Sequence, residues 1–266
     1  IKNAFYAQSG GVTSVINASA CGVIQACREH PDKIGTVYAG RNGIIGALSE
    51  ELIDTARESD ADIAALMNTP SGAFGSCRFK LKNLDENRRE YERLIEVFKA
   101  HDIGYFFYNG GGDSADTCFK VSQLSATLGF PVQAIHIPKT VDNDLPITDN
   151  CPGFGSVAKY IAVSALEASF DVRSMAKAST KVFVLEVMGR HAGWIAAAGG
   201  LIEDYGIPVL LLFPEIDFDH DRFIAAVQAK VEEFGYCTVV VSEGARNADG
   251  SFLAEQGSRD AFGHAQ

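Results

Sequence analysis

The stretch Tyr105-Phe106-Phe107-Tyr108-Asn109-Gly110-Gly111-Gly112-Asp113-Ser114 decides the fold class of this chain. Four aromatic residues in succession predict a buried strand, and the three glycines predict the turn that ends it. The helix that follows has an apolar side formed by Cys118, Val121, Leu124 and Leu128. Gly129 is expected to end this helix, and Val132–Ile137 reads as the next strand. A strand, a helix and a second strand in this order are typical of a parallel sheet.

The same alternation extends in both directions along the chain. Further strands are predicted at Ala4–Ala7, Thr36–Ala39, Val182–Val187, Val209–Phe213 and Thr238–Val241. Further helices are predicted up to Arg28, at Glu90–Ala100, at Val157–Met175 and around Ile224–Phe234. This order predicts an α/β fold with a mostly parallel, Rossmann-like, three-layer sheet. Between Arg41 and Arg89 the chain is rich in glycine and charge with weak periodicity, so we expect loops there.

Composition limits the classes of protein that remain. With 266 residues, 47% of them hydrophobic, the chain can bury one large core or two smaller ones. No apolar run approaches the roughly 18–20 residues of a membrane span, and the first 30 residues lack the pattern of a signal peptide. A net charge of −11 argues against a nucleic-acid partner but leaves room for a local phosphate site. Six scattered cysteines without a C-x-x-C pair favour reduced thiols in a cytoplasmic protein.

Predicted strand ends carry glycine together with polar residues. After the first strand, Gly10-Gly11 is followed by Thr13, Ser14 and Asn17 at the start of a helix. Glycine lets a phosphate approach the backbone, and a helix N-terminus supplies free N–H donors. A tight strand-to-helix turn with an ordinary helix cap is the alternative. The pattern alone favours that simpler interpretation.

The three glycines Gly110-Gly111-Gly112 indicate a ligand-binding site more strongly than the Gly10-Gly11 turn does. Three in a row cost much backbone entropy, so close approach of a ligand is the better interpretation. Asp113 and Ser114 follow, and these two residues are also typical N-caps of a helix.

Two further stretches carry most of the ionisable groups. Pro138-Lys139-Thr140-Val141-Asp142-Asn143-Asp144 places two carboxylates beside a lysine, an amide and a hydroxyl, which suits ion binding and proton transfer. A polar turn with internal hydrogen bonds is the alternative. Glu186-Val187-Met188-Gly189-Arg190-His191-Ala192-Gly193 places an arginine at a strand end, which suits phosphate recognition. His191 is assigned no role.

Together these stretches resemble the phosphofructokinase family, in order and spacing, over essentially the whole chain. The specific pieces are Pro138–Asp144 and Met188–Gly193. Supporting matches are Gly75-Ser76-Cys77-Arg78-Phe79, Ser242-Glu243-Gly244 and Gly263-His264-Ala265-Gln266. The resemblance implies two similar α/β lobes with the active site between them. Residues 1–138 would form the donor-binding lobe, and residues 139–266 a sugar-phosphate-binding lobe that we expect to be truncated at its C-terminal end.

The resemblance also implies roles for individual residues. Asp142 matches the general base that takes the proton of the sugar 1-hydroxyl, and Arg78 matches the arginine that bridges the transferring phosphoryl group. The residues that match sugar-phosphate contacts are Thr140, Asp142, Lys181, Met188, Gly189, Arg190, Glu243 and His264. The donor side is matched by Gly11, Gly111, Gly112 and Ser114. Asp144 matches an acidic residue that orders Mg²⁺ through its water shell, and the contact of Lys181 implies a homo-oligomer, dimer or tetramer, with shared active sites.

Two departures from the ATP-using members indicate a different donor. Those members carry Gly-Gly-Asp-Gly-Ser where this chain has Gly110–Ser114, and a glycine in place of Lys139. Asp113 and Lys139 match the pyrophosphate-dependent branch and are added to the candidate catalytic residues. The metal-binding aspartate of the ATP type falls on Gly112, which implies Mg²⁺ held mainly by pyrophosphate and water.

The resemblance therefore implies reversible phosphoryl transfer from pyrophosphate to fructose 6-phosphate, as in glycolysis and gluconeogenesis, in the cytoplasm. An ATP-dependent 6-phosphofructokinase stays open as an alternative. So does a regulatory subunit that binds sugar phosphate without catalysis.

Overall fold

The computed structural model describes residues 1–13, 15–82 and 84–254. The chain divides into two compact units. The first holds Ile1–Thr140 with Cys151–Gly153, and the second holds Val141–Asn150 with the chain from Phe154 onward. The expected domains, 1–138 and 139–266, were defined by function and stay a prediction.

The first unit is built on a five-stranded sheet in the order β3-β2-β1-β4-β5. Its strands are β1 (Lys2–Gln8), β2 (Ile34–Gly40), β3 (Leu52–Asp54), β4 (Ile103–Gly110) and β5 (Gln133–Pro138). Its helices are α1 (Ile16–Arg28), α2 (Ile44–Leu48), α3 (Asp60–Ala65), α4 (Leu84–Ala100) and α5 (Gly112–Thr127). All neighbours are parallel except β2 and β3. The parallel order brings the carboxyl ends of β1, β4 and β5 to one edge of the sheet.

Apolar residues cover both faces of this sheet, as the predicted three-layer fold requires. On one face Phe5 and Phe106 stack with ring centroids 5.8 Å apart, and Phe98 of α4 packs against both rings. The opposite face buries Tyr6 and Ile24, from β1 and α1. Burial on both faces explains why the central strands read as nearly continuous apolar runs rather than as an alternating pattern.

The second unit holds a three-stranded parallel sheet in the order β6-β8-β7. Its elements are α6 (Phe154–Met175), β6 (Val182–Val187), α7 (Trp194–Ala198), β7 (Val209–Leu212), α8 (His220–Phe234) and β8 (Cys237–Ser242). A 3₁₀ segment, Gly199–Tyr205, follows α7 directly. The core forms around Ala165, Ile195 and Val240. Every strand predicted for this unit is present within one residue at each end.

The prediction of loops between Arg41 and Arg89 is wrong in part. This stretch contains α2, β3 and α3 as well as the beginning of α4. Each of the first three is six residues or shorter, and such lengths do not complete two helical turns or a clear alternation. The predicted helix Glu90–Ala100 begins six residues later than α4, which Asn87 interrupts with non-helical angles.

No helix within the described residues combines the length and the apolar character needed to cross a bilayer. All six cysteines lie within the described residues and are free thiols, and five of them are buried.

Candidate functional site

The turn after β1 is fixed to a second segment of the first unit. Gly10 has a φ of +79°, which side chains rarely adopt, and its amide donates to the carbonyl of Cys77 at 2.9 Å. The Ser76 hydroxyl donates to the Gly10 carbonyl at 2.7 Å. Arg78 comes next along this segment, and its Nη2 lies 3.4 Å from where a Cβ on Gly11 would be. The Gly10–Gly11 turn therefore lies directly beside the Arg78 guanidinium.

Lys139 brings a second cation to the same turn from the end of β5. Its side chain is 8% exposed, and its Nζ donates to the Gly11 carbonyl at 2.6 Å. Its backbone amide donates to the Gly110 carbonyl at 3.1 Å. The Nζ also lies 3.2 Å from the position of a Cβ on Gly10, so a side chain there would crowd it. A lysine buried to this degree is uncommon, and charged groups so placed are expected to face a counter-charge.

The three glycines after β4 have different roles. A Cβ on Gly110 would overlap the Ser114 side chain, so packing requires this glycine. Gly111 caps α5, and its carbonyl accepts from the amides of Ser114 and Ala115 at 3.1 and 3.0 Å. A Cβ on Gly111 would make ordinary van der Waals contact with the Thr140 side chain, 3.8 Å away, so packing does not require this glycine. Gly112 is the first, exposed residue of the helix. The N-terminus of α5 thus begins at an exposed glycine, and a helix end of this kind favours an anion.

The alternative reading of Asp113 and Ser114 as N-caps is wrong. Gly111 is the N-cap, so Asp113 and Ser114 are the second and third residues inside the helix. Ser114 is buried, and its hydroxyl donates to the Ser9 hydroxyl at 2.7 Å. Ser114 thus holds the β1 turn and the α5 turn together.

Asp113 points to a lysine that sequence reasoning missed. Its Oδ1 lies 2.8 Å from Nζ of Lys80, and both side chains are about half exposed, at 62% and 48%. The Asp113 carboxylate raises the pKa of the Lys80 amine, chiefly through the hydrogen bond between them.

A buried polar network lies behind the Gly10–Gly11 turn. Asn17, fully buried on α1, accepts from Nε2 of Gln8 at 3.1 Å and from the amide of Ala73 at 2.9 Å. Its own Nδ2 donates to the Thr69 carbonyl at 2.8 Å. Asn17 therefore ties the start of α1 to the segment that leads to Arg78. Its role is positional rather than that of a helix cap.

The segment after Lys139 belongs to the second unit from Val141 onward, and Val141 packs against that unit's core. Asn143 is buried at a φ of +56°, and its amide donates to the Asp149 carbonyl at 3.3 Å. Asparagine tolerates this left-handed conformation. The alternative of a polar turn with internal hydrogen bonds fits Asn143. On either side of it, Asp142 is partly buried and Asp144 is exposed.

The loop after β6 is fixed by its backbone. Gly189 has a φ of +126°, its carbonyl accepts from the Ser242 hydroxyl, and its amide donates to Oε1 of Glu243 at 3.3 Å. A Cβ on Gly244 would overlap the carbonyl of Arg190, so a glycine is required for the two chains to pass. These contacts bring three predicted sugar-phosphate residues together, namely Gly189, Arg190 and Glu243.

Arg190 is partly exposed, and the candidates Met188 and Lys181 are exposed. The Arg190 guanidinium lies 6.0 Å from the centre of the Phe252 ring, at the outer limit of a cation–π contact. Met188 is 56% exposed. Lys181 is exposed, and its Nζ donates to the carbonyl of Ala176 in its own chain at 2.7 Å. His264 lies outside the described residues.

Sequence reasoning missed several residues of this arrangement. Glu215 accepts from the amide of Gly193 at 2.8 Å, and Phe252 flanks Arg190. Neither stands in a recognisable motif, so no sequence signal could have found them. Lys80 could have been found, because alternate residues of an extended segment share one side and Lys80 stands two after Arg78.

The described residues offer no metal site built by the protein alone. Among residues 1–13, 15–82 and 84–254, no three His, Cys, Asp or Glu side chains come together as potential ligands. Asp144 is exposed, and a single carboxylate is the type of group that contacts Mg²⁺ through its water shell. The residues present therefore fit a hydrated Mg²⁺ whose other ligands come from a bound phosphate compound.

This arrangement defines an α/β protein whose first unit brings together groups of the kind that suit phosphate binding: two glycine turns, one helix N-terminus, a buried lysine and an arginine. Over residues 3–265 the sequence matches the family described as Phosphofructokinase. The chain belongs to the phosphofructokinase family.

Individual relatives agree with this assignment. The chain is 74% identical to the pyrophosphate–fructose 6-phosphate 1-phosphotransferase of Methylococcus capsulatus, over 100% of its own length and 64% of the relative's. A protein of the same name from Halomonas elongata is 71% identical over 99% of the chain and 64% of the relative. The crystal structure of a pyrophosphate-dependent phosphofructokinase from Nitrosospira multiformis matches with a TM-score of 0.86 and 75% identity, covering 94% of this chain and 62% of that one. The chain thus spans somewhat less than two thirds of the length of these relatives.

Proposed function

We propose that this chain carries the active-site machinery of a phosphotransferase that moves a phosphoryl group from pyrophosphate to the 1-hydroxyl of fructose 6-phosphate. The products are fructose 1,6-bisphosphate and phosphate, and the reaction is reversible. The proposal is supported by the names of relatives 74% and 71% identical to this chain. We expect the enzyme to work in the cytoplasm, where its six free thiols would stay reduced.

The observation that carries the proposal is the buried amine of Lys139 at the Gly10–Gly11 turn. Its Nζ donates to the Gly11 carbonyl at 2.6 Å. The Arg78 guanidinium lies beside the same glycine, 3.4 Å from where a Cβ on Gly11 would be. Two cations at a glycine turn suit a small, densely charged donor, which pyrophosphate is. ATP-using members of the family carry glycine where Lys139 stands. The lysine therefore favours pyrophosphate over ATP.

In the proposed reaction Asp142 accepts the proton of the 1-hydroxyl as that oxygen attacks the nearer phosphorus of pyrophosphate. The new C1–O–P bond forms while the bond from phosphorus to the bridging oxygen breaks, and phosphate leaves with the bridging electrons. Arg78 and Lys139 stabilise the negative charge on the transferring and leaving groups. Thr140 orients the attacking hydroxyl, and Gly11, Gly111 and Gly112 offer backbone to the donor.

The second unit supplies the sugar-phosphate contacts in this proposal. Arg190 binds the sugar phosphate, Glu243 accepts from a sugar hydroxyl, and Met188 and Gly189 shape the loop. Lys181 and His264 would hold the 6-phosphate, with Lys181 acting in a neighbouring subunit of a homo-oligomer. Mg²⁺, when bound with pyrophosphate, lowers the charge of the donor, and Asp144 would hold its water shell.

The donor is tested with purified protein, fructose 6-phosphate and Mg²⁺, by offering pyrophosphate or ATP at equal concentration and measuring fructose 1,6-bisphosphate. We expect turnover with pyrophosphate and less than about one hundredth of it with ATP, because the Asp113 carboxylate would repel the α-phosphate that only ATP carries. Equal turnover with ATP would indicate an ATP-dependent 6-phosphofructokinase. Binding of fructose 6-phosphate without turnover on either donor would indicate a regulatory subunit.

A further inference from the structure

We propose that Lys80 is a positioning residue for the phosphoryl donor, because it neutralises Asp113 and so lets an anionic donor bind at the start of α5. This inference rests on the proposed function and adds a residue to its donor side. Its basis is the ion pair between Nζ of Lys80 and Oδ1 of Asp113, 2.8 Å apart.

Asp113 creates a conflict that the Lys80 pair relieves. As the second residue of α5, Asp113 stands where unpaired backbone N–H groups favour an anion. An uncompensated carboxylate there would weaken the binding of any phosphate at Gly111 and Gly112. Repulsion between two like charges about 5 Å apart, at an effective dielectric of about 20, lowers the affinity for the ligand on the order of a hundredfold. The ammonium of Lys80 offsets part of this repulsion.

Lys80 reaches Asp113 from the segment that also carries Arg78. That segment is anchored to the Gly10 turn by the hydrogen bonds of Ser76 and Cys77. One short segment therefore places one cation at Gly11 and, two residues later, another at the first turn of α5. The next acidic residue on the helix, Asp116, has its own partner in Lys120 at 2.5 Å. Lys80 is thus available to Asp113.

The size of the effect follows from exposure. Lys80 and Asp113 keep 48% and 62% of their side-chain surface accessible. Ion pairs of this kind contribute about two- to fivefold in an equilibrium and weaken with salt. A lysine amine is charged at neutral pH at its ordinary pKa, and the Asp113 carboxylate raises the pKa of Lys80 further.

The test is Lys80→Met in the full chain, measured as KM for each substrate. We expect the pyrophosphate KM to rise about two- to fivefold while the fructose 6-phosphate KM stays within about 1.5-fold. Lys82→Met is the matched control, since Lys82 pairs with Glu86 at 3.0 Å and lies on no proposed contact. Its pyrophosphate KM should stay at the parent value.

A double-mutant cycle with Asp113→Asn separates positioning from direct contact. In the Asp113→Asn background Lys80→Met should change the pyrophosphate KM by less than about 1.5-fold, and the coupling should shrink at about 0.5 M salt. An equal effect in both backgrounds would overturn the proposal, because Lys80 would then contact the donor itself. No effect in either background would overturn it too. A parent without pyrophosphate turnover would instead contradict the proposed function, and the same cycle would then be measured by calorimetric binding of magnesium pyrophosphate.

Discussion

The Gly10–Gly11 turn of the first unit and the loop 188–193 of the second are held in different ways. At the turn, the charged group is itself buried, since Lys139 is 8% exposed and donates to the backbone of the turn. In the loop, the backbone is fixed through Gly189 and Ser242, while Met188 and Glu243 stay exposed. One region fixes a charge, and the other fixes a backbone that presents side chains to solvent.

The difference predicts what each region can do. A buried ammonium has few rotamers left and little competing water, so its field acts at one place and at full strength on a developing charge. A side chain that contacts a part of the ligand unchanged by the reaction, such as the phosphate of the sugar, binds the ground state and the transition state about equally. We therefore expect substitutions at the turn to lower turnover and substitutions in the loop to raise KM for the sugar phosphate.

The largest effect should come from Asp142→Asn, which tests whether the second unit holds chemistry besides binding. Asparagine keeps the shape of the side chain and removes the proton acceptor. Turnover should fall by about 10²–10⁴ while the KM for fructose 6-phosphate changes by only a few fold. Steady-state kinetics with pyrophosphate as donor measures both values. Turnover within about threefold of the parent would show that Asp142 is not the base.

Lys139→Met tests the buried charge and should have the next largest effect. Methionine keeps the apolar stem and removes a charge-assisted hydrogen bond, worth about 1.5–3 kcal/mol, so kcat/KM for pyrophosphate should fall about 10–100-fold. The KM for fructose 6-phosphate should stay within about twofold. Lys33→Met, on an exposed lysine remote from the turn in sequence, is the control. A rise confined to the sugar KM would contradict a donor role.

Arg190→Ala should have a smaller effect of a different kind. The guanidinium is expected to bind the sugar phosphate equally in the ground and transition states, so the sugar KM should rise about tenfold with kcat within about threefold. Arg222→Ala, on the exposed face of α8, is the control.

Glu243→Gln sharpens the test, because glutamine keeps an acceptor for the Gly189 amide and removes only the charge. A raised pyrophosphate KM with an unchanged sugar KM would place this loop on the donor side.

How much of this the sequence could predict depends on the range of the interactions. The strands β4 and β6 and the glycine turn after β4 follow from local pattern, and the structure confirms them. The roles of individual residues in the site came from the family resemblance and stay predictions. The pairing of Lys80 with Asp113 joins residues 33 positions apart, and no local pattern encodes such a contact. The short elements between Arg41 and Arg89 were missed because a strand of three residues has no period to detect.

The smallest predicted effect concerns the stability of the first unit and the pH. His136 on β5 is partly buried, and its Nε2 lies 3.0 Å from the Gly110 carbonyl, immediately before the glycine turn. Burial lowers the pKa of this imidazole, and hydrogen bonds to the Gly110 and Gly111 backbone offset part of the shift. The folded state therefore favours the neutral ring, with its proton on Nε2 donated to the carbonyl.

The sign of the pH dependence follows from that shift. Well above a pH of about 6.5 the ring is neutral in both states, and it adds no pH dependence. Below that value the unfolded chain binds a proton more readily than the folded chain, so the free energy of unfolding falls as the pH drops from about 7 to 5. One proton limits the slope to about 1.4 kcal/mol per pH unit, and partial exposure should keep it well below this limit.

Urea unfolding of the parent and of His136→Gln at several pH values measures this contribution. Glutamine can donate the same hydrogen bond without titrating. The contribution of the carboxylates, which both proteins share, cancels when the free energy of unfolding of one protein is subtracted from that of the other at each pH. We expect the parent to lose stability relative to the variant between pH about 7 and 5. The opposite trend would mean that the folded state favours the imidazolium. The first unit would then hold a partly buried charge at Gly110 in addition to Lys139 at the Gly10–Gly11 turn, whereas the backbone of the loop 188–193 is held by uncharged groups and Glu243.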